Sequence, residues 1–205
     1  RYGGQEVLPD TRITAEFKDD QVTGTAGCNN YFASYERTDS TLEVGPVGAT
    51  RMMCSDPEGI MEQESGYLAL LESANTYQIE AGQLKVQNAS GEVVLIFDAA
   101  VTGTVTYLER IALPDDAVVE VKLLDVSLTD VEAVTISEQT IANLGQVPIP
   151  FELLYDPQDI DPRNTYRVQA RITNGGDLIF INTSAFLVLT QGNPSTVEVI
   201  VEPVG

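Results

Sequence analysis

The sequence predicts a mainly β protein in two domains with a single helix, and three observations carry that expectation. Apolar and polar residues alternate over short runs along most of the 205 residues, which is the period-two signature of half-buried strands. One segment, residues 56–74, breaks into helical spacing instead. Beyond residue 100 the helix signal is gone and strand patterns follow one another to the end. One wet and one dry face per strand implies an antiparallel sandwich or barrel.

Taken in order, the first strand candidates place Ile13, Ala15 and Phe17 on one face, then Tyr31, Ala33 and Tyr35, then Leu42 and Val44, separated by polar or glycine-containing stretches such as KDDQ. The helix is expected behind Asp56 as N-cap with Pro57 at its first position, its stripe formed by Ile60, Tyr67, Leu68, Leu71 and Ala74. Gly59 and Gly66 weaken it by about 1 kcal/mol each, which packing of the apolar stripe can override. YQI, QLKVQ and EVVLIFDA return to strand, with NASGE (88–92) as a hairpin turn. Residues 98–101 form a short domain boundary, which divides the chain into 1–98 and 101–205. The second half offers TGTVTYLE, AVVEVKLLDVS, VPIPFELLY, TYRVQARIT, DLIFIN and TVEVIVEPV. Val147, Ile149, Phe151, Leu153 and Tyr155 share a face, as do Tyr166, Val168, Ala170 and Ile172. Pro148 and Pro150 each remove a ladder donor, so their strand belongs at an edge or a bulge.

Composition narrows the function classes. The chain holds 31 acids against 11 bases, a formal charge of −20, spread evenly over both halves, and such a field repels phosphate backbones and anionic lipid surfaces. Neither nucleic acid nor a membrane surface is an expected partner. With three lysines, the composition would also suit a high-salt environment. No apolar run of about 18 residues and no signal-like segment occurs.

The first half resembles the META domain, the HslJ-like family of bacterial envelope proteins. VTGTAGCNNYFASY (22–35), LEVGPVGATRMMC (42–54) and EQESGYLALL (62–71) followed by a strand pair carry the resemblance. It implies a small lipocalin-like β-barrel with one helix, and it singles out Gly24, Gly27, Asn29, Thr50 and Met53 as structural positions of the motif. Members open with a tryptophan-containing strand, whereas this chain has no tryptophan. The second half resembles the type III secretion lipoprotein chaperone family, the YscW/YbaY-like group, through VTGTVTYLERIALPDDAVVEVKLLDVS (101–127), VPIPFELLYDPQDIDPRNTYRVQARI (147–172) and FLVLT (186–190). That resemblance implies an antiparallel β-sandwich in the periplasm or at the outer membrane. An envelope protein is the partner it implies, and any membrane contact is expected through a lipid anchor outside these residues.

Cys28 and Cys54 are the two cysteines. Zinc needs four ligands, and a chain without histidine offers two. A nucleophilic thiol needs a base or positive surroundings, yet Ser55 and Asp56 follow Cys54. Since the families point to an oxidising compartment, a disulfide closing a 27-residue loop is the favoured state, adding about 3 kcal/mol on the chain-entropy model. Two buried reduced thiols are the alternative. GTAGCNN could cradle an anion, but no Walker lysine or helix start follows it, so Gly24 and Gly27 are assigned to tight bends, with Asn29 and Asn30 satisfying the local backbone.

In the second half, Asp156, Asp159, Asp161 and Asn164 could hold calcium, although they lack the EF-hand glycine and terminal glutamate and equally suit plain turns. Arg110 either ties a carboxylate across the sandwich or guides a partner's acidic group. Pro114 turns the chain after Leu113, and Asp125 is expected to cap a bend or accept backbone hydrogen bonds. No catalytic residue, metal site or cofactor is assigned. The functional expectation is a non-enzymatic envelope protein that binds a partner protein, as a secretion or assembly chaperone; the alternative is a carrier holding a small apolar ligand inside the first barrel.

Overall fold

The computed structural model describes residues 1–128 and 131–204, and the chain divides into two compact units, Arg1–Asp98 and a second from Ala99 onward. The first unit begins with an antiparallel meander of β1 (Glu16–Lys18), β2 (Gln21–Thr25), β3 (Asn30–Arg37) and β4 (Leu42–Val44), and β5 (Gly48–Ala49) pairs with the start of β3. β1 and β2 are joined by Asp19 and Asp20, both at positive φ (50° and 62°), the twist that a two-residue hairpin requires. The first strand is shorter than its alternation suggests. Ile13 and Ala15 lie outside β1 because Thr14 spends its hydrogen bonds on Thr25, accepting at its hydroxyl and donating from its backbone at 3.1 and 3.0 Å.

Helix α1 (Ile60–Glu72) starts three residues later than Asp56 as N-cap would have it. Gly59, at φ 88°, is the N-cap, and no side chain caps the helix. Its buried face is Ile60, Gln63, Glu64, Tyr67 and Leu71, so the stripe has the expected period but contains two polar residues. Strands β6 (Thr76–Glu80), β7 (Gln83–Gln87) and β8 (Val93–Asp98) form a second meander, with the Asn88 side chain organising the 88–92 turn by accepting from the Ser90 and Glu92 amides at 3.1 and 3.0 Å. The two sheets touch through a bridge between Thr41 and Thr76, while Arg1–Gly3 lies along β8. Among the described residues the ladder therefore stays as two linked sheets and does not run round a closed barrel. Its interior is filled by Val22, Tyr31, Tyr67, Leu71, Val86 and Leu95.

The second unit is a sandwich. Its larger sheet has the order β11 (Val134–Ile141), β10 (Ala117–Asp125), β13 (Tyr166–Asn174), β14 (Asp177–Ile181), β17 (Glu202–Pro203), with β15 (Phe186–Val188) on the other half of β13. The smaller has β12 (Ile149–Leu154), β9 (Ala100–Thr106) and β16 (Thr196–Ile200). Both predicted apolar faces turn inward: Phe151, Leu153, Val168, Ala170 and Ile172 are fully buried. The prolines fit because β12 is an edge strand.

Two features depart from a purely antiparallel reading. β16 runs parallel to β9, and what reads as one strand, TVEVIVEPV, switches sheets at buried Val201, whose amide donates to Thr106 O at 2.8 Å before β17 joins β14. β11 escaped sequence reading because its inward face includes Ser137 and Gln139, opposite Leu123 and Val121; the Gln139 side chain accepts from the Glu152 amide at 2.8 Å.

Close backbone approach explains one motif glycine. A Cβ on Gly24 would lie 2.0 Å from the Thr14 carbonyl oxygen, whereas one on Gly66 in α1 would meet nothing nearer than 3.6 Å. Gly24→Ala is expected to lose about 3 kcal/mol through overpacking, while Gly66→Ala gains up to about 1 kcal/mol of helix propensity. Urea unfolding followed by circular dichroism reads both, and equal effects of the two substitutions would contradict the packing account.

Candidate functional site

The motif residues of the first unit converge on one buried side chain. Asn29 sits between the bend after β2 and the start of β3, and is 1% exposed. Its amide oxygen accepts from the Thr50 hydroxyl and the Met52 amide, both at 2.7 Å, and its Nδ2 donates to Met52 O at 3.1 Å. The same Nδ2 donates to Glu64 Oε1 at 2.8 Å, and the Asn29 backbone amide donates to Glu64 Oε2 at 2.7 Å. Glu64 is 6% exposed, and among the described residues no cation pairs with it. A buried carboxylate is stable only where N–H donors replace its water, and Asn29 supplies one to each oxygen.

Neighbouring groups complete the cluster. Gln63 accepts from the Leu8 amide at 2.7 Å and donates to Thr11 Oγ1 at 3.0 Å, tying the N-terminal segment to α1. Gly27, at φ 117°, lets the bend pass the helix, since a Cβ there would stand 3.0 Å from Gln63 Nε2. The Ala26 amide donates to Asn29 O and the Gly27 amide to Thr25 Oγ1. These donors serve the chain's own turn. Cys28 and Cys54 form a disulfide with Cα atoms 5.9 Å apart, pinning residues 50–54 beside the cluster. Asn30 contributes only backbone: its amide donates to Thr50 Oγ1 and its carbonyl accepts from the Thr50 amide. It is the Met52 backbone that is held, while the Met53 side chain is 88% exposed.

Tyr31 and Tyr67 form a second buried pair. Tyr31 donates to Thr14 O at 2.8 Å, so the 2.6 Å contact between the hydroxyls is a donation from Tyr67. Burial pushes Tyr31 up to about 12 against the opposing Tyr67 hydrogen bond, and it raises Tyr67 as well. Sequence reading missed Gln63, Glu64 and this pair. The available signal was two polar residues on the apolar stripe between Ile60 and Tyr67.

The second unit's motif residues lie apart from one another. Asp125, half-buried at the end of β10, accepts from the Ser127 amide and hydroxyl through Oδ1 and from Asn164 Nδ2, at 2.8 Å, through Oδ2. Burial raises its pKa, but the Ser127 and Asn164 hydrogen bonds outweigh it and the net shift is downward. Pro114 O accepts from the Ala117 amide at 3.0 Å, closing the turn into β10. Arg110 is exposed, and among the described residues no carboxylate lies within ion-pairing distance, so the tie across the sandwich is not made.

The acidic loop is organised by local bonds. Asp156 caps the 3₁₀ turn Pro157–Asp159 by accepting from the Gln158 amide at 2.9 Å. The Arg163 side chain and backbone amide hold Asp161 down to about 2. On the outward face of the larger sheet, Glu120 takes Arg171 at 2.8 Å and Lys122 at 3.2 Å, and Lys122 also meets Glu138 at 3.2 Å.

These features define a class: a disulfide-pinned, two-sheet module with one helix, followed by a β-sandwich whose shifted titrating groups serve turns, ion pairs and core. Residues 97–201 match the type III secretion system lipoprotein chaperone (YscW) family and residues 1–101 the META domain. The chain belongs to the YscW family and carries a META domain in its first half. It is similar to the uncharacterised lipoprotein YbaY of Escherichia coli (strain K12), 36% identical over 93 residues, which is 45% of this chain. The chain spans about half, 49%, of that relative's length. Among solved structures it is similar to an alternative pilotin from the type II secretion system of Vibrio cholerae, with 42% identity and a TM-score of 0.51 over 52% of this chain and 97% of that one. With this kinship its location is the extracytoplasmic cell envelope, a compartment where a disulfide persists.

Two outcomes test the cluster. Glu64→Gln turns a donor toward Asn29 where an acceptor stood and is expected to lose about 2 kcal/mol, read by urea unfolding; an unchanged midpoint would refute the account. The raised tyrosines favour their neutral forms in the fold, so their contribution is whole below pH 10.0 and is lost as pH rises toward about 12. Parallel phenolate absorbance and circular dichroism titrations should show late ionisation coinciding with unfolding.

Proposed function

We propose that this chain is a non-enzymatic envelope protein that binds a partner protein, as a chaperone of secretion or assembly. The observation that carries this reading is the pilotin likeness: 42% identity covering 97% of that chain, alongside a lipoprotein chaperone family match across 97–201. The surface of the second unit supports it. Leu108 and Ile111 are 79% and 57% exposed on the connection between β9 and β10, and Leu128 and Val131 are 70% and 62% exposed on the one between β10 and β11. These exposed apolar side chains on two connections are the surface assigned here to the partner.

Chemistry points the same way. The chain has no histidine, both cysteines are in the disulfide, and the shifted carboxylates are held by Lys85, Arg171, Ser127 or Arg163. Tyr31, Tyr67, Leu71 and Val86 occupy the interior of the first unit, where the carrier alternative would need space.

Cross-linking capture from native envelopes, with the whole chain as bait, is expected to recover one protein in stoichiometric amount. Replacing Leu108 and Ile111 together by serine, or Leu128 and Val131 together, should reduce its recovery while circular dichroism stays unchanged. Recovery of no stoichiometric partner would count against the reading.

A further inference from the structure

The geometry points to Arg167 as a receptor for a carboxylate side chain carried by an apolar segment of the partner protein. This rests on the partner-binding reading above and specifies the chemistry of one contact. The second unit's cations are Arg110, Lys122, Arg163, Arg167 and Arg171. Lys122, Arg163 and Arg171 each hold a carboxylate within the unit, and Arg110 stands in water. Arg167 holds no such carboxylate. It is half-buried, its Nε is closed to solvent without a hydrogen-bond partner, and among the described residues no carboxylate lies within ion-pairing distance of it. In a chain with 31 acids that is an anomaly, because an unpaired buried N–H is unfavourable and a guanidinium gains most from a carboxylate.

Position decides what can supply the acceptor. Residues paired directly across strands share a sheet face, so Arg167 points outward between its register partners Leu124 on β10 and Leu187 on β15. Leu124 is 5% exposed and Leu187 38%. Leu187 leaves exposed apolar surface beside the guanidinium, which matches a carboxylate with a branched apolar side chain next to it. The binding mode already occurs in the molecule: Arg163 donates from Nε at 3.0 Å and from Nη2 at 2.6 Å to the two oxygens of Asp161. A second copy of the chain is a poor occupant, since it would bring another −20 against the same long-range field. A short local segment with one acid among apolar residues brings the acceptor without that field.

The test titrates the whole ¹⁵N-labelled chain with the peptide acetyl-Leu-Asp-Leu-amide, following the Arg167 Nε–H resonance, with acetyl-Leu-Asn-Leu-amide and sodium acetate as comparisons. The expected result is a saturable downfield shift with the aspartyl peptide, about tenfold weaker binding of the other two, equivalent to roughly 1.4 kcal/mol, and loss of the response in Arg167→Lys, which keeps the charge without the fork. No shift, or equal binding of all three probes, overturns the inference. Arg167→Met, which leaves no buried N–H, should unfold at a temperature no lower than the parent; a lower one assigns Arg167 to the fold and overturns the inference too. Capture from native envelopes separates the two readings. A partner recovered equally by the parent and Arg167→Lys sinks the Arg167 contact alone, and recovery by neither sinks partner binding itself.

Discussion

A carboxylate shut away from water, with no cation beside it among the described residues, is the constraint on which the first unit turns. Both oxygens of Glu64 must meet N–H groups, and a single residue, Asn29, provides them from its backbone and its side chain. That fixes the bend after β2 against α1 to within hydrogen-bond tolerance. With its donors spent there, the Asn29 amide oxygen is free to take Thr50 and Met52, which brings in the segment leading to Cys54. The disulfide then joins two segments that the hydrogen bonds already hold together. Removing one partner of such a network leaves a buried group unsatisfied, which costs more than the net value of the bond.

The second unit is built on the opposite principle. Its core is one large apolar cluster from Val101 to Val201, relieved by Asn182 on the Ala170 amide and Gln139 on the Glu152 amide, and on the outward face the Arg171, Glu120, Lys122 and Glu138 ladder crosses three strands. Those side chains are partly solvated, so the ladder adds little stability and mainly favours one register. One half thus depends on a few obligatory bonds, the other on area removed from water.

How much of this was legible follows from what each signal measures. Period-two patterning finds strands whose inward residues are apolar, so Phe151, Leu153, Val168 and Ala170 announced their faces. It passes over β11, where Ser137 and Gln139 turn inward. The helix was visible in Ile60, Tyr67 and Leu71, but its start was not, because Asp56 and Pro57 resemble a cap while Gly59 supplies the turn. The sequence placed the cysteines, Asn29 and Thr50 in one motif, and the structure brings them together. Their organiser, Glu64, was missed, because a glutamate in a helix reads as solvent-facing until the bend that covers it is placed. Arg110 and Arg167 show the same limit: whether a cation has a counter-ion depends on which strands the fold makes adjacent.

The passage of the last strand from one sheet to the other has a mechanical consequence. β16 runs alongside β9 in the same direction, with register pairs from Thr196 and Thr102 to Ile200 and Thr106. The segment from Ala99 therefore enters at one end of that ladder, and the stretch beyond Ile200 leaves at the other. Tension between the two ends of the unit would load all these pairs together in shear, where an antiparallel hairpin would open one bond at a time, and the β17 pairing with β14 would have to fail as well. Under load along the chain, the unit would be held by that geometry.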